Sequence, residues 1–114
     1  MHEASIAASL LEIVSSQCKK SGYRKIESIH LKIGRASGIM TDALVFAFEA
    51  LKEDSLAKEA VLEIEEVPVS GHCFDCNNTF TTEEEYVLGC PRCGGGSFRM
   101  TGGRELDVID MEVS

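Results

Sequence analysis

Between Glu3 and about Ser21 the residues Ile6, Leu10, Ile13, Val14 and Cys18 recur at helical spacing, with Glu12, Ser16, Lys19 and Lys20 on the opposite side. This period predicts an amphipathic helix. Gly22 marks its end, following two lysines that suit the negative end of a helix dipole. From Lys25 to Ile33 the period shortens to two, as Ile29, Leu31 and Ile33 alternate with Ser28, His30 and Lys32. A strand with one wet face is predicted there, closed by Gly34. A second helix is expected from Thr41 to about Leu51, starting at Thr41 or Met40. Asp42 falls in its first turn, and Leu44, Val45, Phe48 and Leu51 form its apolar face. Phe46 lies partly off that stripe.

A second strand is predicted over Ala60 to Val69, with Leu62 and Ile64 on one face before the apolar phase moves to Val67 and Val69. Such a shift predicts a bulge or the exit from a sheet, and Pro68, which cannot donate into a central ladder, agrees with the exit. A third strand, with a bulge where its apolar phase changes, is expected over Glu105 to Val113. The order is helix, strand, helix, strand, insertion, strand. It predicts an α+β fold, a small sheet of about three strands with two helices and an inserted zinc-ribbon domain. The expected domains are residues 1–69 with 104–114, and residues 70–103, with Gly102 and Gly103 leaving room for a hinge between them.

The inserted stretch holds few large apolar residues (Phe74, Phe80, Tyr86, Val87, Leu88 and Phe98) and cannot close a core unaided. It holds instead two CxxC pairs, Cys73/Cys76 and Cys90/Cys93, thirteen residues apart. Two residues between cysteines let one tight turn aim both sulfurs at one point, and thiolates suit a tetrahedral ion. The spacing predicts a four-thiolate zinc ribbon, with a short hairpin between the pairs bringing the turns together. Iron in a rubredoxin-like site and a pair of disulfides are the alternatives. A closed four-thiolate site is structural, and it contributes on the order of 10 kcal/mol of folding free energy. His72 stands beside Cys73, but no histidine flanks the second pair. Cys18, on the first helix's apolar stripe, reads as a core thiol, and His30 as a solvated strand residue.

Charge changes the picture in one respect. Residues 1–40 carry six Lys/Arg against three Asp/Glu, and residues 41–114 five against sixteen, so a balance of +3 meets one of −11. A ribbon that gripped nucleic acid needs a basic face to neutralise phosphates, whereas this one sets Arg92 and Arg99 against Asp75 and the run Glu83 to Glu85. Nucleic acid is therefore disfavoured and a protein partner expected. No apolar run is long enough for a secretory signal or a membrane span, and paired cysteine spacing suits metal in a reducing interior, so a cytoplasmic location without membrane association is expected. No nucleophile and base pairing and no phosphate loop stands out. An enzyme is not expected.

The first three residues carry a more specific chemistry. The Met1 amine, the deprotonated His2 amide and the His2 imidazole Nδ1 can close adjacent five- and six-membered chelate rings in one plane, with the Glu3 amide at a fourth position. Planar nitrogen ligation suits Ni(II) or Cu(II) and not zinc. The first amides of a helix have no intrahelical acceptor, so losing a proton there sacrifices no backbone hydrogen bond. An ordinary exposed tail is the competing reading of these residues.

With Met1-His2-Glu3, the sequence Leu-Lys-Ile-Gly at 31–34, Phe-Ala-Phe-Glu-Ala at 46–50, and the Cys-Phe-Asp-Cys and Cys-Pro-Arg-Cys-Gly turns, nearly the whole chain resembles the HypA family of nickel metallochaperones. The resemblance implies a nickel-binding α/β domain with an inserted zinc domain. It implies Ni2+ held as cargo at the amino terminus through His2, and structural Zn2+ held by Cys73, Cys76, Cys90 and Cys93; the chelate chemistry adds Met1 and Glu3 to the nickel site. It implies two partners, a HypB-type GTPase and the hydrogenase large-subunit precursor. Monomer and dimer are both left open. Some relatives carry a histidine beside the second CxxC where this chain has Gly94, so the likeness does not extend to metal exchange through flanking histidines. A zinc-ribbon adaptor in transcription or another multiprotein assembly remains the alternative function.

Overall fold

The computed structural model describes residues 2–114. Two α-helices, α1 (Glu3–Lys20) and α2 (Thr41–Leu51), are accompanied by six strands: β1 (Ile26–Gly34), β2 (Val61–Val67), β3 (Val69–Cys73), β4 (Thr79–Thr82), β5 (Phe98–Gly102) and β6 (Leu106–Val113). The strands form two three-stranded sheets, ordered β2-β1-β6 and β4-β3-β5. The fold is α+β. It divides into two compact units, one of Met1–Leu31, Ile39–Glu65 and Asp107–Ser114, the other of Lys32–Gly38 and Glu66–Leu106.

In the first unit α1 and α2 pack against each other. The helix α1 ends as its sequence dictates. Gly22 adopts φ 82°, its amide donates to Lys19 O and that of Tyr23 to Cys18 O, so two terminal carbonyls that the helix leaves open are satisfied. The buried stripe of α1 is Ile6, Ala7, Leu10, Leu11, Val14 and Cys18, and Cys18 is a fully buried thiol. Ile13, expected on that stripe, is 62% exposed. At 100° per residue it falls just beyond the edge of the arc that the buried positions define. On α2, Leu44 and Phe48 are fully buried, Val45 is half-buried, and Leu51 at the helix end is exposed, as is Phe46. A 3-10 turn, Lys52–Asp54, follows. Its Lys52, buried over the Phe48 ring, donates to Ala60 O at 3.0 Å and pairs with Glu49.

The strand β1 is central, and Ile29, Leu31 and Ile33 are buried on one of its faces. At its start Lys25 and Ser114 exchange both backbone hydrogen bonds, and at its end Gly34 N donates to Glu105 O. These two points share one antiparallel register. His30 lies half-buried on the opposite face, 3.9 Å from a Glu65 oxygen and 3.7 Å from an Asp110 oxygen.

The expected strand over Ala60 to Val69 is split: β2 stops at Val67, Pro68 breaks the ladder, and β3 begins the second sheet at Val69. In that sheet β3 is central and pairs antiparallel with β4 (His72 opposite Thr79) and with β5 (Cys73 opposite Phe98). The expected hairpin between the two CxxC pairs is therefore not formed as such. Only β4 lies between the pairs, and its hairpin partner is β3, which wraps the first pair. The reason is local, since a turn that points two sulfurs the same way already reverses the chain.

Gly103 is no hinge. It is buried at φ 116°, and a Cβ there would lie 2.8 Å from Val69 Cα, while a Cβ on Gly34 would lie 2.1 Å from Gly103 C. Ala36 N donates to Gly103 O at 2.7 Å, and Gly103 N to Glu105 Oε1 at 2.7 Å. These glycines let three chain segments of the second unit cross at backbone contact.

Candidate metal centre

The two CxxC turns are built alike. In the first, Cys73 N donates to Asn78 O at 2.9 Å, and Asn77 takes a positive φ of 58°. In the second, Cys90 N donates to Gly95 O at 2.8 Å, and Gly94 takes φ 79°. The left-handed residue stands four positions after the first cysteine in each case. Asparagine and glycine are the residues that adopt this conformation most readily. The second turn also aims amides at sulfur: Arg92 N donates to Cys90 Sγ at 3.4 Å and Gly95 N to Cys93 Sγ at 3.3 Å.

Asp75 and its backbone neighbour join the turns. Phe74 N donates to Ser97 O at 2.8 Å and Ser97 N to Asp75 Oδ2 at 3.2 Å. The Asp75 carboxylate fills the space over Gly95, where a Cβ would lie 2.2 Å from Oδ2. Neither Asp75 nor Asn77 was singled out by the sequence pattern for this role, although an asparagine and a glycine at matching positions of the two turns was a readable signal.

The result is a convergence of sulfur. The four Sγ atoms lie within 4.8 Å of one another, with Cys73 to Cys93 at 3.6 Å and Cys76 to Cys90 at 3.9 Å. A tetrahedron with metal–sulfur bonds of about 2.3 Å has edges of about 3.8 Å. The disulfide alternative is set aside, because all five cysteines are free thiols. Beneath the sulfurs, Cys73 and Cys90 are buried with Phe80, and Cys76, Val87 and Phe98 pack on that cluster. Phe80 and Phe98 meet edge to face, ring centres 5.8 Å apart.

The electrostatics of the cluster suit a cation. The backbone N–H of Asn78 is the largest of the influences that bring the Cys76 thiol down to about 7. At Cys93 the Gly95 amide favours the thiolate, but lost hydration and the three neighbouring sulfurs outweigh it and push the thiol up to about 12. One thiolate forms readily and opposes the next. Four can coexist at this spacing only around a positive ion. Among the described residues no other group of three or more His, Cys, Asp or Glu side chains converges in this way. His72 lies on β3 with its ring against Phe74, outside the sulfur cluster.

The amino-terminal residues are placed differently. His2 is exposed and is the N-cap of α1, its carbonyl accepting from Ser5 N at 3.1 Å and Ile6 N at 3.2 Å. The Glu3 carboxylate accepts Met40 N at 3.1 Å, tying the start of α1 to the start of α2, and this bond is the first cause of its lowered pKa. Met1, expected as the amine ligand, lies outside the described residues. No helix is long and apolar enough to cross a membrane among the described residues.

Comparison with known proteins converges on one family. The model for "Hydrogenase/urease nickel incorporation, metallochaperone, hypA" matches residues 1–113. The hydrogenase maturation factor HypA of Rhizobium leguminosarum bv. viciae is 39% identical over 113 residues, 99% of each chain, and that of Albidiferax ferrireducens is likewise 39% identical over 99% of each. Among solved structures, the Ni metallochaperone HypA of Helicobacter pylori is similar with TM-score 0.69 and 32% identity, covering 99% of this chain and 97% of its own. A second HypA solution structure gives TM-score 0.73 at 30% identity, covering 100% of this chain and 97% of its own. With a converged thiol centre, an α+β fold and whole-length likeness in sequence and structure, the chain belongs to the HypA family of nickel metallochaperones, which serve hydrogenase and urease nickel incorporation and are not enzymes.

Proposed function

We propose that this chain carries Ni(II) at its amino terminus and delivers it during maturation of nickel-iron hydrogenase, while Cys73, Cys76, Cys90 and Cys93 hold a structural zinc ion. The observation that carries the nickel reading is the position of His2. Its carbonyl accepts the first helical hydrogen bonds, from Ser5 and Ile6, so the amides of His2 and Glu3 precede the ladder and their loss of a proton breaks no helical bond. The Met1 amine, the His2 amide and imidazole Nδ1, and the Glu3 amide make up the ligand set. The Glu3 carboxylate, engaged by Met40 N and by its own backbone N–H, holds the helix start, and nickel at the Glu3 nitrogen would replace that local contact.

In this reading residues 1–69 with 104–114 form the nickel-binding domain and 70–103 the zinc-binding domain. A HypB-type GTPase acts with the chain in nickel insertion, the hydrogenase large-subunit precursor receives the metal, and the setting is the cytoplasm. Support for zinc comes from the thiol spacing and the closed, four-sulfur donor set.

The test is nickel titration of the wild type and His2→Ala, both with an authentic amino terminus. Loss of nickel affinity in the variant is expected, and equal affinity would sink the amino-terminal site. One extra residue before Met1 converts the amine into an amide and should have the same effect. Because amine and amide must lose protons to bind, affinity should fall as the pH drops below the α-amino range of roughly 8. Salt-dependent binding to DNA or RNA without nickel affinity would favour the adaptor reading instead.

A further inference from the structure

The four sulfurs are not equally protected. Cys73 and Cys90 are buried on Phe80, Cys76 is half-buried, and Cys93 is exposed. The residues after Cys93 are Gly94, Gly95 and Gly96, which bring no side chain to cover it. At Gly94 and at Gly96 an added Cβ would meet nothing within 4 Å, so the chain beside this sulfur borders open solvent. Gly95 is spoken for by Asp75, but Gly96 has neither a positive φ nor a close neighbour to require glycine. The exposure of Cys93 is thus a property of the second turn as a whole. The first turn differs, since Asn77 and Asn78 follow Cys76, and the Asn78 side chain bonds back to Cys76 O at 3.1 Å.

We propose that Cys93 is a modification site, the point at which low-molecular-weight disulfides attack and open the four-cysteine centre. The proposal rests on the metal-bound reading of that centre. Ligation keeps the sulfur unprotonated and nucleophilic. In the step, Cys93 Sγ withdraws its electron pair from the metal and attacks one sulfur of the disulfide. The S–S bond breaks, a mixed disulfide forms on Cys93, and the other half leaves as a thiolate, so the incoming disulfide is the oxidant and no further reactant is needed. Cys93 would then be lost as a ligand, leaving Cys73, Cys76 and Cys90 to hold the ion.

Cys73 is the resolving thiol. Its Sγ lies 3.6 Å from that of Cys93. Attack by Cys73 on the mixed disulfide expels the second half as a thiolate and closes a Cys73–Cys93 disulfide between the two turns. Two cysteines are then oxidised and the reagent is reduced to two thiols, so that only Cys76 and Cys90 would remain as thiolate ligands, too few to retain the ion. Cys18, fully buried in the first unit, takes no part and reports on unfolding.

The experiment uses the full-length, metal-loaded chain with glutathione disulfide as probe. Metal content is measured first, then samples are quenched over time for peptide mapping while a chromophoric chelator reads released metal. Cys93 should carry the adduct first, about tenfold or more faster than Cys76. Metal release should follow that adduct, and a Cys73–Cys93 disulfide should accumulate while Cys18 stays free. A loaded centre in which Cys76 or Cys18 reacts first, or from which metal departs before any adduct appears, overturns the proposal alone. A chain that binds no metal at the four cysteines overturns the metal reading and the proposal together.

Discussion

The two units reach order by opposite means. The first buries large apolar side chains completely, Phe48, Ile26, Ile29, Leu44 and Val14 among them, and the buried amine of Lys52 is paired. In the second, the cluster beneath the four sulfurs has Phe80 as its largest buried member, and two of its three buried residues are cysteines. An apolar core distributes its stabilisation over many contacts, each worth a few kcal/mol, whereas a thiolate centre concentrates it on one ion. The first kind of unit erodes by degrees under mutation, and the second responds to its ligands almost all or none.

Removing the metal is the strongest way to break that contrast. With on the order of 10 kcal/mol resting on the ion, a strong chelator should abolish amide protection across β3, β4 and β5 while the helical circular dichroism of α1 and α2 persists. Hydrogen exchange read by mass spectrometry checks it, and simultaneous loss of both signals would show that the units do not stabilise themselves separately. Next in size, Phe48→Ala should cost about 3–5 kcal/mol in the first unit by opening a cavity. Denaturant unfolding measures it, and metal stoichiometry should stay unchanged.

Smaller still, Gly95→Ala should cost about 1–3 kcal/mol through overpacking against Asp75. Asp75→Ala made with it should return part of that loss, at the expense of the Ser97 hydrogen bond, and a double-mutant cycle read as metal-retention midpoint in chelator reports the coupling. Additive effects would mean that the two turns do not meet through this pair. Ile13→Ser should stay within about 0.5 kcal/mol, because the side chain is exposed.

The smallest effect is one of pH. The Glu3 carboxylate has its pKa lowered in the fold by Met40 N–H, so its contribution is present above the unfolded carboxylate range and is lost as the pH falls through the lower folded value. The Met40 amide resonance should therefore titrate below the usual carboxylate range, and Glu3→Gln should remove that titration.

Ile13 and Gly103 show where sequence reading stops. A period of 3.6 locates the middle of a helix stripe from Leu10 and Val14, and those are buried, but whether Ile13 on its margin is covered depends on what the neighbouring elements reach. α2 was legible to the residue because Met40 and Thr41 start it and no competing pattern intervenes, although the exposure of Leu51 follows from the 3-10 turn that comes next. The four cysteines announced the centre by spacing alone. The second sheet was harder, since Ser70, Gly71 and His72 have no apolar alternation and are drawn into β3 by pairing on both sides. Gly103 read as freedom because glycine permits both looseness and close approach, and only the positions of Gly34 and Val69 decide between them.

That crossing bears on the order in which a newly made chain can fold. The second unit draws on residues 32–38 and 66–106, whereas the first needs 107–114 to supply β6, the partner of β1. Every residue of the thiol-bearing body is therefore synthesised before the first body has its last strand. Residues near the amino terminus wait longest for their completed surroundings. During biosynthesis the second body can bring its four thiols together while α1, though made first, is still without a finished sheet.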